Sequence, residues 1–275
     1  MKTLVTQIER GAAFDGPGLR TVVFFKGCPL RCKWCANPET QTATNEIYFA
    51  EKHCIKCNEP CLKSVSNCPT GALSVVAKEM SVAEIVSEIR KDEMFFRTSG
   101  GGVTLSGGEV LLHAKAATEI LKQCKRNYIH TAVETSGFGL REELLKLAQY
   151  TDLFLFDIKH CDSEKHYAAT GVNNEPIIDN LRALCAVNAQ IIIRLPLIPG
   201  INDTAENIRQ LIELMTALGL RELHILPYHA LAREKYNWLN KNYSEFTVCD
   251  SSLDVNQISK LTTAAGINTI IGGIN

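Results

Sequence analysis

The chain has 275 residues, which is enough for one α/β barrel with an additional module. Its formal net charge of -1 and its pI near 6.7 exclude the basic composition typical of proteins that bind nucleic acids or anionic membranes. Neither a secretory signal nor an apolar run long enough to span a bilayer is present. Of the eleven cysteines, seven fall between Cys28 and Cys68, which predicts metal binding in a reducing cytoplasm rather than disulfide bonds.

The first predicted strand covers residues 19–26, a short β-branched and aromatic run bounded by Gly and Pro. The loop after it contains Cys28, Cys32 and Cys35, spaced Cys-x3-Cys-x2-Cys. A 4Fe-4S cluster takes one thiolate per iron, so three cysteines leave one iron open to bind a small molecule and pass it an electron. The alternatives are a zinc site completed by a distant Cys or His, and free thiols, which would be prone to oxidation.

The composition changes between residues 45 and 78. Here Cys54, Cys57, Cys61 and Cys68 follow the spacing Cys-x2-Cys-x3-Cys-x6-Cys-Pro. Small ferredoxin modules have closely spaced cysteines that end in Cys-Pro. Four thiolates complete a second 4Fe-4S cluster without an open iron, which suits electron transfer or a structural role. A zinc knuckle is the alternative.

Strands and helices alternate through the rest of the chain. Ser81 and Glu84 form a capping-box signature, and apolar residues follow at helical spacing. Further apolar runs begin near residues 103, 129, 153, 191 and 223, and helical patterns separate them. Together with the first strand they make six strand–helix units, which predicts a parallel sheet. A helix near residues 255–265 and a short strand at 269–271 close the chain.

A polar, Gly-containing or charged motif follows each of these apolar runs. Parallel α/β sheets place their active sites at this carboxyl end of the strands. An unrelated surface loop would account for one such motif but not for all of them, so we expect them to meet at one site. The motifs are Gly107-Gly108-Glu109, Glu134-Thr135-Ser136-Gly137, Asp157-Ile158-Lys159, Arg194-Leu195-Pro196 and Pro227-Tyr228-His229.

Three of these motifs carry residues with a chemical interpretation of their own. Gly107 and Gly108 have no Cβ and let the backbone approach a ligand, although such a pair is more often a turn. By strand alternation Asp157 and Lys159 share one face of a very apolar strand, so they are either functional or a salt bridge that caps the barrel. Arg194 follows three isoleucines and can hold a carboxylate through two hydrogen bonds.

The cysteine loop, with Trp34 before its last cysteine, resembles the signature of the radical S-adenosylmethionine (SAM) enzymes. The preceding Asp15-Gly16-Pro17-Gly18 makes the chain similar to the activating enzymes of glycyl radical enzymes, which carry such a loop shortly before the cluster. The resemblance extends from about residue 8 to residue 229. It departs from the family at Val110, where Pro is usual.

The resemblance implies a partial (β/α)6 barrel formed by residues 1–44 and 79–275, with residues 45–78 as a ferredoxin-like 4Fe-4S insert. It implies that the cysteine loop holds the cluster that binds SAM, and that the catalytic residues are Cys28, Cys32, Cys35 and Lys159. The residues implied to bind SAM are Trp34, Cys35, Ala36, Gly107, Gly108, Glu109, Asp157, Ile158, Lys159, Arg194 and His229.

Two further sites follow from the resemblance alone. Glu134, Thr135 and Asp157 resemble positions that bind a monovalent cation near SAM in a relative, which has Asp in place of Glu134. The candidates for contact with a partner's glycine loop are Asp15, Gly16, Pro17 and Gly18.

The expected function is that of an anaerobic, cytoplasmic oxidoreductase. It would cleave SAM reductively to a 5′-deoxyadenosyl radical and abstract a hydrogen atom from a glycine of a large glycyl radical enzyme. Flavodoxin or ferredoxin is the expected electron donor, and the protein is expected to be a monomer with neither nucleic acid nor a membrane as partner. The alternatives are a radical SAM enzyme with a small substrate, the activase of anaerobic ribonucleotide reductase, and a non-enzymatic iron–sulfur electron carrier.

Overall fold

The computed structural model describes residues 1–57, 64–247 and 252–272. Its strands are β1 (Lys2–Ala12), β2 (Arg20–Phe25), β3 (Ile47–Phe49), β4 (Leu73–Val75), β5 (Lys78–Ser81), β6 (Gly102–Gly107), β7 (His130–Thr135), β8 (Leu153–Asp157), β9 (Ile191–Leu197), β10 (Glu222–Pro227) and β11 (Asn268–Ile271). Its α-helices are α1 (Val82–Arg90), α2 (Glu93–Ser99), α3 (Ala114–Arg126), α4 (Arg141–Ala148), α5 (Ser163–Thr170), α6 (Glu175–Ala186), α7 (Ala205–Ala217), α8 (Arg233–Trp238) and α9 (Val255–Ala264).

The main sheet has nine strands in the order β11-β10-β9-β8-β7-β6-β2-β1-β5. Strands β2 and β6 to β11 are parallel, which confirms the predicted α/β architecture. The six predicted strand–helix units correspond to β2 and to β6 through β10. Within the described ranges the edge strands β11 and β5 do not pair with each other, so the sheet remains open.

The edge formed by β1 and β5 was not predicted from the sequence. Strand β1 runs antiparallel to both β2 and β5. In its first half only Thr3 and Val5 are buried, and the residues around them are partly or fully exposed. Such a half-buried, polar strand is typical of a sheet edge and gives a weak apolar signal. Helix α8 was also not predicted.

The core lies between the sheet and the helices that cover it. Phe154 and Phe156 of β8 are fully buried, as expected of a parallel strand covered on both faces. Helix α1 begins with the predicted capping box: the Ser81 hydroxyl accepts from the Glu84 amide at 3.3 Å, and the Glu84 carboxylate accepts from the Ser81 amide at 2.7 Å. No helix in the described ranges is long and apolar enough to cross a membrane.

The cysteine-rich insert lies between β2 and α1 and contains the two-stranded antiparallel sheet of β3 and β4. Asn45 closes its base, because its amide nitrogen donates to the Ala77 carbonyl at 2.6 Å and its amide oxygen accepts from the Ala77 amide at 2.9 Å. The ferredoxin-like character of this insert and its boundaries at residues 45 and 78 stay predictions.

Candidate active site

A cavity of about 350 Å³ lies at the carboxyl ends of the parallel strands. The motifs that follow β2 and β6 through β10 all contribute to its lining, so the predicted convergence occurs. The predicted SAM-binding residues in this lining are Trp34, Cys35, Ala36, Gly107, Gly108, Asp157, Lys159, Arg194 and His229. Glu109 and Ile158 do not line the cavity, because each is buried to 1% exposure within the protein.

The loop of residues 27–41, here called the cysteine loop, is closed at its base. The Gly27 amide donates to the Thr40 carbonyl at 2.6 Å. Lys26, the fully buried residue before the loop, donates from Nζ to the Glu39 carbonyl at 2.6 Å and to Glu46 Oε2 at 2.8 Å. A buried ammonium group is tolerated only when its donors are satisfied. Lys26 therefore fixes where the cysteine loop begins and ends.

The far side of the cysteine loop is held by the end of α5. The amides of Arg31 and Lys33 donate to the carbonyls of Thr170 and Ala169, at 2.6 and 3.1 Å. The last carbonyls of a helix have no partner within the helix, so they are free to bind another segment. This contact gives the end of α5 a structural role that the sequence did not predict.

The three thiols of Cys28, Cys32 and Cys35 all face the cavity. Burial raises the pKa of the Cys28 and Cys32 thiols to about 12, and it also raises the pKa of Cys35. Among the described residues, no three Cys, His, Asp or Glu side chains are arranged as metal ligands. Three thiols on one cavity wall nevertheless form a donor set that fits an iron–sulfur cluster with one open iron.

Gly107 and Gly108 bring two loops into backbone contact. A Cβ on Gly107 would lie 2.2 Å from the Phe25 amide nitrogen, and one on Gly108 would lie 2.1 Å from the Gly27 carbonyl oxygen. Both positions therefore require glycine. The following Glu109 accepts from the Thr135 hydroxyl at 2.5 Å and from the Ser136 amide at 2.9 Å, so it joins the loops after β6 and β7.

Asp157 and Lys159 share one face at the end of β8, as strand alternation predicts. Lys159 Nζ lies 2.8 Å from Asp157 Oδ2, and both side chains are largely buried. Burial opposes the charged amine, but the Asp157 carboxylate and the Cys32 and Cys28 sulfurs together raise the pKa of Lys159. Asp157 Oδ1 is buried and accepts no hydrogen bond from the described residues, so the pair leaves one acceptor free at the cavity wall.

Arg194 lies between two acidic groups at the inner part of the cavity. Its Nη1 is 3.2 Å from Glu134 Oε1 and 3.6 Å from Asp15 Oδ1. Burial opposes its charge, but the neighbouring carboxylates raise the pKa of the guanidinium. Within the described part of the chain, the buried Nε and Nη1 atoms donate no hydrogen bond. Arg194 therefore retains donors that a ligand carboxylate can use.

The Asp15-Gly16-Pro17-Gly18 loop contributes only Asp15 to the cavity lining. Burial raises the pKa of Asp15, and Arg194 partly offsets this effect. The fully buried Arg20 supports the loop, because Nη1 donates to the Pro17 carbonyl at 3.3 Å. The other three loop residues stay predicted contacts of the partner.

The rim of the cavity is aromatic on the side of the cysteine loop. Trp34 is 9% exposed and packs edge-on against Phe246, with ring centroids 6.5 Å apart. Tyr228 also packs edge-on against Phe246, at 5.3 Å. Beyond Tyr228 the side chain of His229 is exposed and lines the cavity mouth.

The residues of the expected cation site are all in the cavity lining, but their charges are already paired. Glu134 faces Arg194, and Asp157 faces Lys159. Thr135 donates its hydroxyl to Glu109. The monovalent cation stays a prediction from resemblance.

In the insert, Cys54 and Cys68 are partly exposed and Cys57 is exposed, whereas Cys61 lies outside the described residues. The sulfur of Cys54 accepts from the Lys56 amide, and that of Cys68 from the Leu73 amide, each at 3.4 Å. The bond from the Leu73 amide lowers the pKa of the Cys68 thiol. Amide bonds to sulfur are also a feature of iron–sulfur ligands.

The sequence did not single out two buried asparagines that hold the loops around the cavity. Asn180 donates to the carbonyls of Gly137 and Gly139, at 2.7 and 2.9 Å. Asn202 donates to the carbonyls of Lys159 and Pro196, at 2.9 and 2.6 Å. Asn180 lies in α6 and Asn202 follows a Pro-Gly turn, and no sequence pattern identified the backbone carbonyls that they bind.

Residues 22–215 match the radical SAM superfamily, and the chain belongs to that superfamily. Membership implies SAM and a 4Fe-4S cluster. Within the superfamily, the choline trimethylamine-lyase activating enzyme of Oleidesulfovibrio alaskensis is 40% identical, over 88% of this chain and 88% of its own length. The pyruvate formate-lyase 2-activating enzyme of Escherichia coli (strain K12) is 39% identical, over 98% of this chain and 92% of its own length. The trans-4-hydroxy-L-proline dehydratase activating enzyme of Clostridioides difficile is 37% identical, over 99% of this chain and 100% of its own length.

The chain is therefore a member of the activating enzymes of glycyl radical enzymes. These oxidoreductases cleave SAM and take a hydrogen atom from a glycine of a protein partner. The fold agrees: a domain of pyruvate-formate lyase-activating enzyme from Bacteroides vulgatus superposes with a TM-score of 0.53 and 31% identity, covering 63% of this chain and 99% of that domain. A radical SAM methyltransferase from Sphaerobacter thermophilus shares the fold with a TM-score of 0.59 at 15% identity, covering 98% of this chain and 77% of its own.

Proposed function

We propose that both reactions of this activating enzyme take place in the cavity, with Cys28, Cys32 and Cys35 as the cluster ligands. One observation carries this assignment: a single cavity joins the three thiols to the Asp15 carboxylate of the loop before β2. SAM at the cysteines and a glycine that approaches past Asp15 would then share one water-poor space.

When bound, the cluster supplies the one electron that cleaves SAM to methionine and a 5′-deoxyadenosyl radical. The Lys159 ammonium stabilises negative charge on the nearby thiolates, and Asp157 holds the ammonium in place. The free Asp157 Oδ1 accepts a hydrogen bond from a SAM hydroxyl or ammonium group. Arg194 donates from Nε and Nη1 to the SAM carboxylate.

The remaining predicted residues shape the site. Because Gly107 and Gly108 have no side chains, their backbone can lie against the backbone of Phe25 and Gly27 and close to the ligand. Trp34 and the aromatic rim keep water from the radical, and His229 at the mouth contacts the adenine. Glu109 is buried beneath the cavity lining, and its hydrogen bonds join the loops after β6 and β7.

The partner is a large glycyl radical enzyme whose glycine loop binds along Asp15-Gly16-Pro17-Gly18. The open sheet supports this assignment, because a peptide loop needs a lateral opening and a small metabolite does not. Cys54, Cys57, Cys61 and Cys68 of the insert would hold an auxiliary 4Fe-4S cluster, which would supply a relay for electrons from flavodoxin or ferredoxin. The enzyme would act as a monomer in a reducing cytoplasm.

Isotope transfer tests the assignment. The partner is prepared with deuterium on its glycine Cα and mixed anaerobically with this enzyme, SAM and reductant. We expect deuterium in 5′-deoxyadenosine, and a radical on the partner whose main hydrogen splitting is lost in the electron paramagnetic resonance spectrum. Deuterium that comes from a small metabolite instead, with no radical on any protein, would contradict the proposed partner but leave SAM cleavage intact.

A further inference from the structure

Helix α8 lies between the insert and the cysteine loop, and it contacts both. Trp238 packs edge-on against Tyr48 of β3, with ring centroids 5.5 Å apart. Tyr236 donates its hydroxyl to the Cys35 carbonyl at 3.1 Å. Residues two positions apart in a helix point about 200° apart around its axis. The two side chains therefore reach out from nearly opposite sides of α8.

Charged side chains reinforce both contacts. Lys235 Nζ donates to Glu39 Oε1 at 2.6 Å and to Asn37 Oδ1 at 2.8 Å, both at the end of the cysteine loop. Lys241, just after α8, lies 3.1 Å from Glu46 Oε1 at the base of the insert. These lysines and Glu39 are mostly shielded from solvent. Partly buried pairs of this kind hold a geometry better than exposed pairs do.

We propose that α8 is the element that positions the insert for one-electron transfer to the cysteine loop, with Trp238 and Tyr236 as positioning residues. The inference rests on the auxiliary cluster of the proposed function. One electron leaves the insert and one arrives at the cysteine loop. No bond is made and no proton moves. The external donor, flavodoxin or ferredoxin, replaces the electron.

The proposal follows from how such a transfer depends on distance. Electron tunnelling slows steeply as the two centres move apart, so the short strands β3 and β4 must keep a fixed position. These strands have three residues each, and Ile47 and Val75 are both 55% exposed. Their own packing therefore provides little rigidity, and the Trp238–Tyr48 contact supplies an anchor from outside the insert.

The test uses the enzyme with both clusters reconstituted and the variant Trp238→Ala. Trp238→Phe keeps an aromatic ring against Tyr48, and Tyr128→Ala removes a side chain that is 98% exposed elsewhere. We measure hydrogen exchange of the β3 and β4 amides, together with SAM cleavage driven by flavodoxin or by dithionite. Dithionite is small enough to reduce the cysteine-loop cluster directly.

In Trp238→Ala we expect exchange of the β3 and β4 amides to be about five- to tenfold faster, as the loss of an aromatic pair predicts. Flavodoxin-driven cleavage should fall by at least as much, whereas dithionite-driven cleavage should stay within about twofold. The exchange and cleavage rates of Trp238→Phe should be closer to those of the unaltered enzyme, and the rates of Tyr128→Ala should equal them. Tyr236→Phe, which removes only the hydroxyl, should lower flavodoxin-driven cleavage more than dithionite-driven cleavage.

Unchanged exchange in β3 and β4, or an equal loss of cleavage with both reductants, would overturn the positioning role of α8. Zinc in place of iron in the insert of the unaltered enzyme would overturn the electron transfer. An unaltered enzyme that cleaves no SAM with dithionite would contradict the proposed assignment of the cluster to Cys28, Cys32 and Cys35, and this outcome is separate from the effects of the Trp238 variants.

Discussion

The parallel sheet and the cysteine-rich insert hold their cysteines in different ways. The loop that carries Cys28, Cys32 and Cys35 is fixed by the buried Lys26 and by the carbonyl end of α5. In the insert, Cys57 is exposed, and the two strands have three residues each. Buried residues of the main sheet and its helices therefore hold the cysteine loop, whereas the insert has few buried side chains of its own.

This difference has a consequence for stability. A small module without a sizeable core needs a metal, a disulfide or an outside support to stay folded. The insert has outside support at its base, where Lys26 and Lys241 pair with Glu46, and at β3, where Trp238 packs against Tyr48. We therefore expect the metal and these contacts to stabilise the insert, and the core of the sheet to stabilise the cysteine loop.

The largest expected effect compares the two sets of cysteines. The reconstituted enzyme should hold about 8 irons, and replacement of Cys28, Cys32 and Cys35 by Ala should leave about 4 and abolish SAM cleavage. Replacement of Cys54 and Cys57 by Ala should also leave about 4 irons but keep dithionite-driven cleavage. Iron analysis measures the number of irons, and detection of 5′-deoxyadenosine measures SAM cleavage. Cys185→Ala, in α6, is the control.

Two results would contradict this division of labour. Stoichiometric zinc at the cysteine loop would remove the electron source for SAM cleavage. Equal loss of dithionite-driven cleavage in both sets of variants, together with a lower melting temperature, would make the insert a structural element.

The second prediction compares a buried and an exposed lysine at the two regions. Lys26→Met removes a fully buried charge and leaves the Glu39 carbonyl without its donor, so it should destabilise the protein by about 2–4 kcal/mol. Lys52→Ala removes only the exposed pair between Lys52 of the insert and Glu234 of α8, and it should change stability by less than about 0.5 kcal/mol. Denaturant unfolding of the metal-free protein measures both. Equal effects would show that the base of the cysteine loop is not the rigid element.

The third prediction concerns SAM binding by the wall of the cavity. Asp157→Ala and His229→Ala should each weaken SAM binding about tenfold, because each loses a contact with the ligand. Iron content should stay unchanged, since neither residue is a cluster ligand. Asp179→Ala, an exposed carboxylate on α6, is the control. Normal SAM binding in both variants would instead favour a salt bridge that caps the barrel as the role of Asp157.

Much of the fold could be predicted from the sequence because its strands are apolar and its motifs lie at strand ends. The six strand–helix units and the convergence of Gly107, Asp157 and Arg194 on one cavity follow from periodicity alone. Strand β1 escaped prediction because half of it faces solvent. Helix α8 was missed because six residues give too short a pattern, and its contacts with the cysteine loop are about 200 residues distant.

Side-chain roles were harder to predict than positions. Glu109 is predicted to bind SAM, and the structure adds that its buried carboxylate accepts hydrogen bonds from Thr135 and Ser136. Lys26 and Asn202 act through backbone carbonyls, and no sequence pattern marks such a partner. The relatives at 37–40% identity are named for different glycyl radical enzymes, so membership of this family does not by itself identify the partner.

The smallest expected effect is the pH dependence contributed by His166, which supports the end of α5. Its Nδ1 lies 2.7 Å from the Val172 carbonyl, so the neutral ring donates from Nδ1. Burial lowers the pKa of His166 below its ordinary value of 6.5, and the bond to Val172 only partly offsets this. Below about pH 6.5 the unfolded chain therefore binds a proton that the folded chain resists, and stability falls as the pH falls.

His166→Asn keeps a donor and removes the titration. Unfolding midpoints at pH 7.5 and pH 5 should thus differ less in this variant than in the unaltered protein, and exchange of the Arg31 and Lys33 amides should become less sensitive to acid. An identical pH dependence in both proteins would show that α5 holds the cysteine loop without help from this histidine.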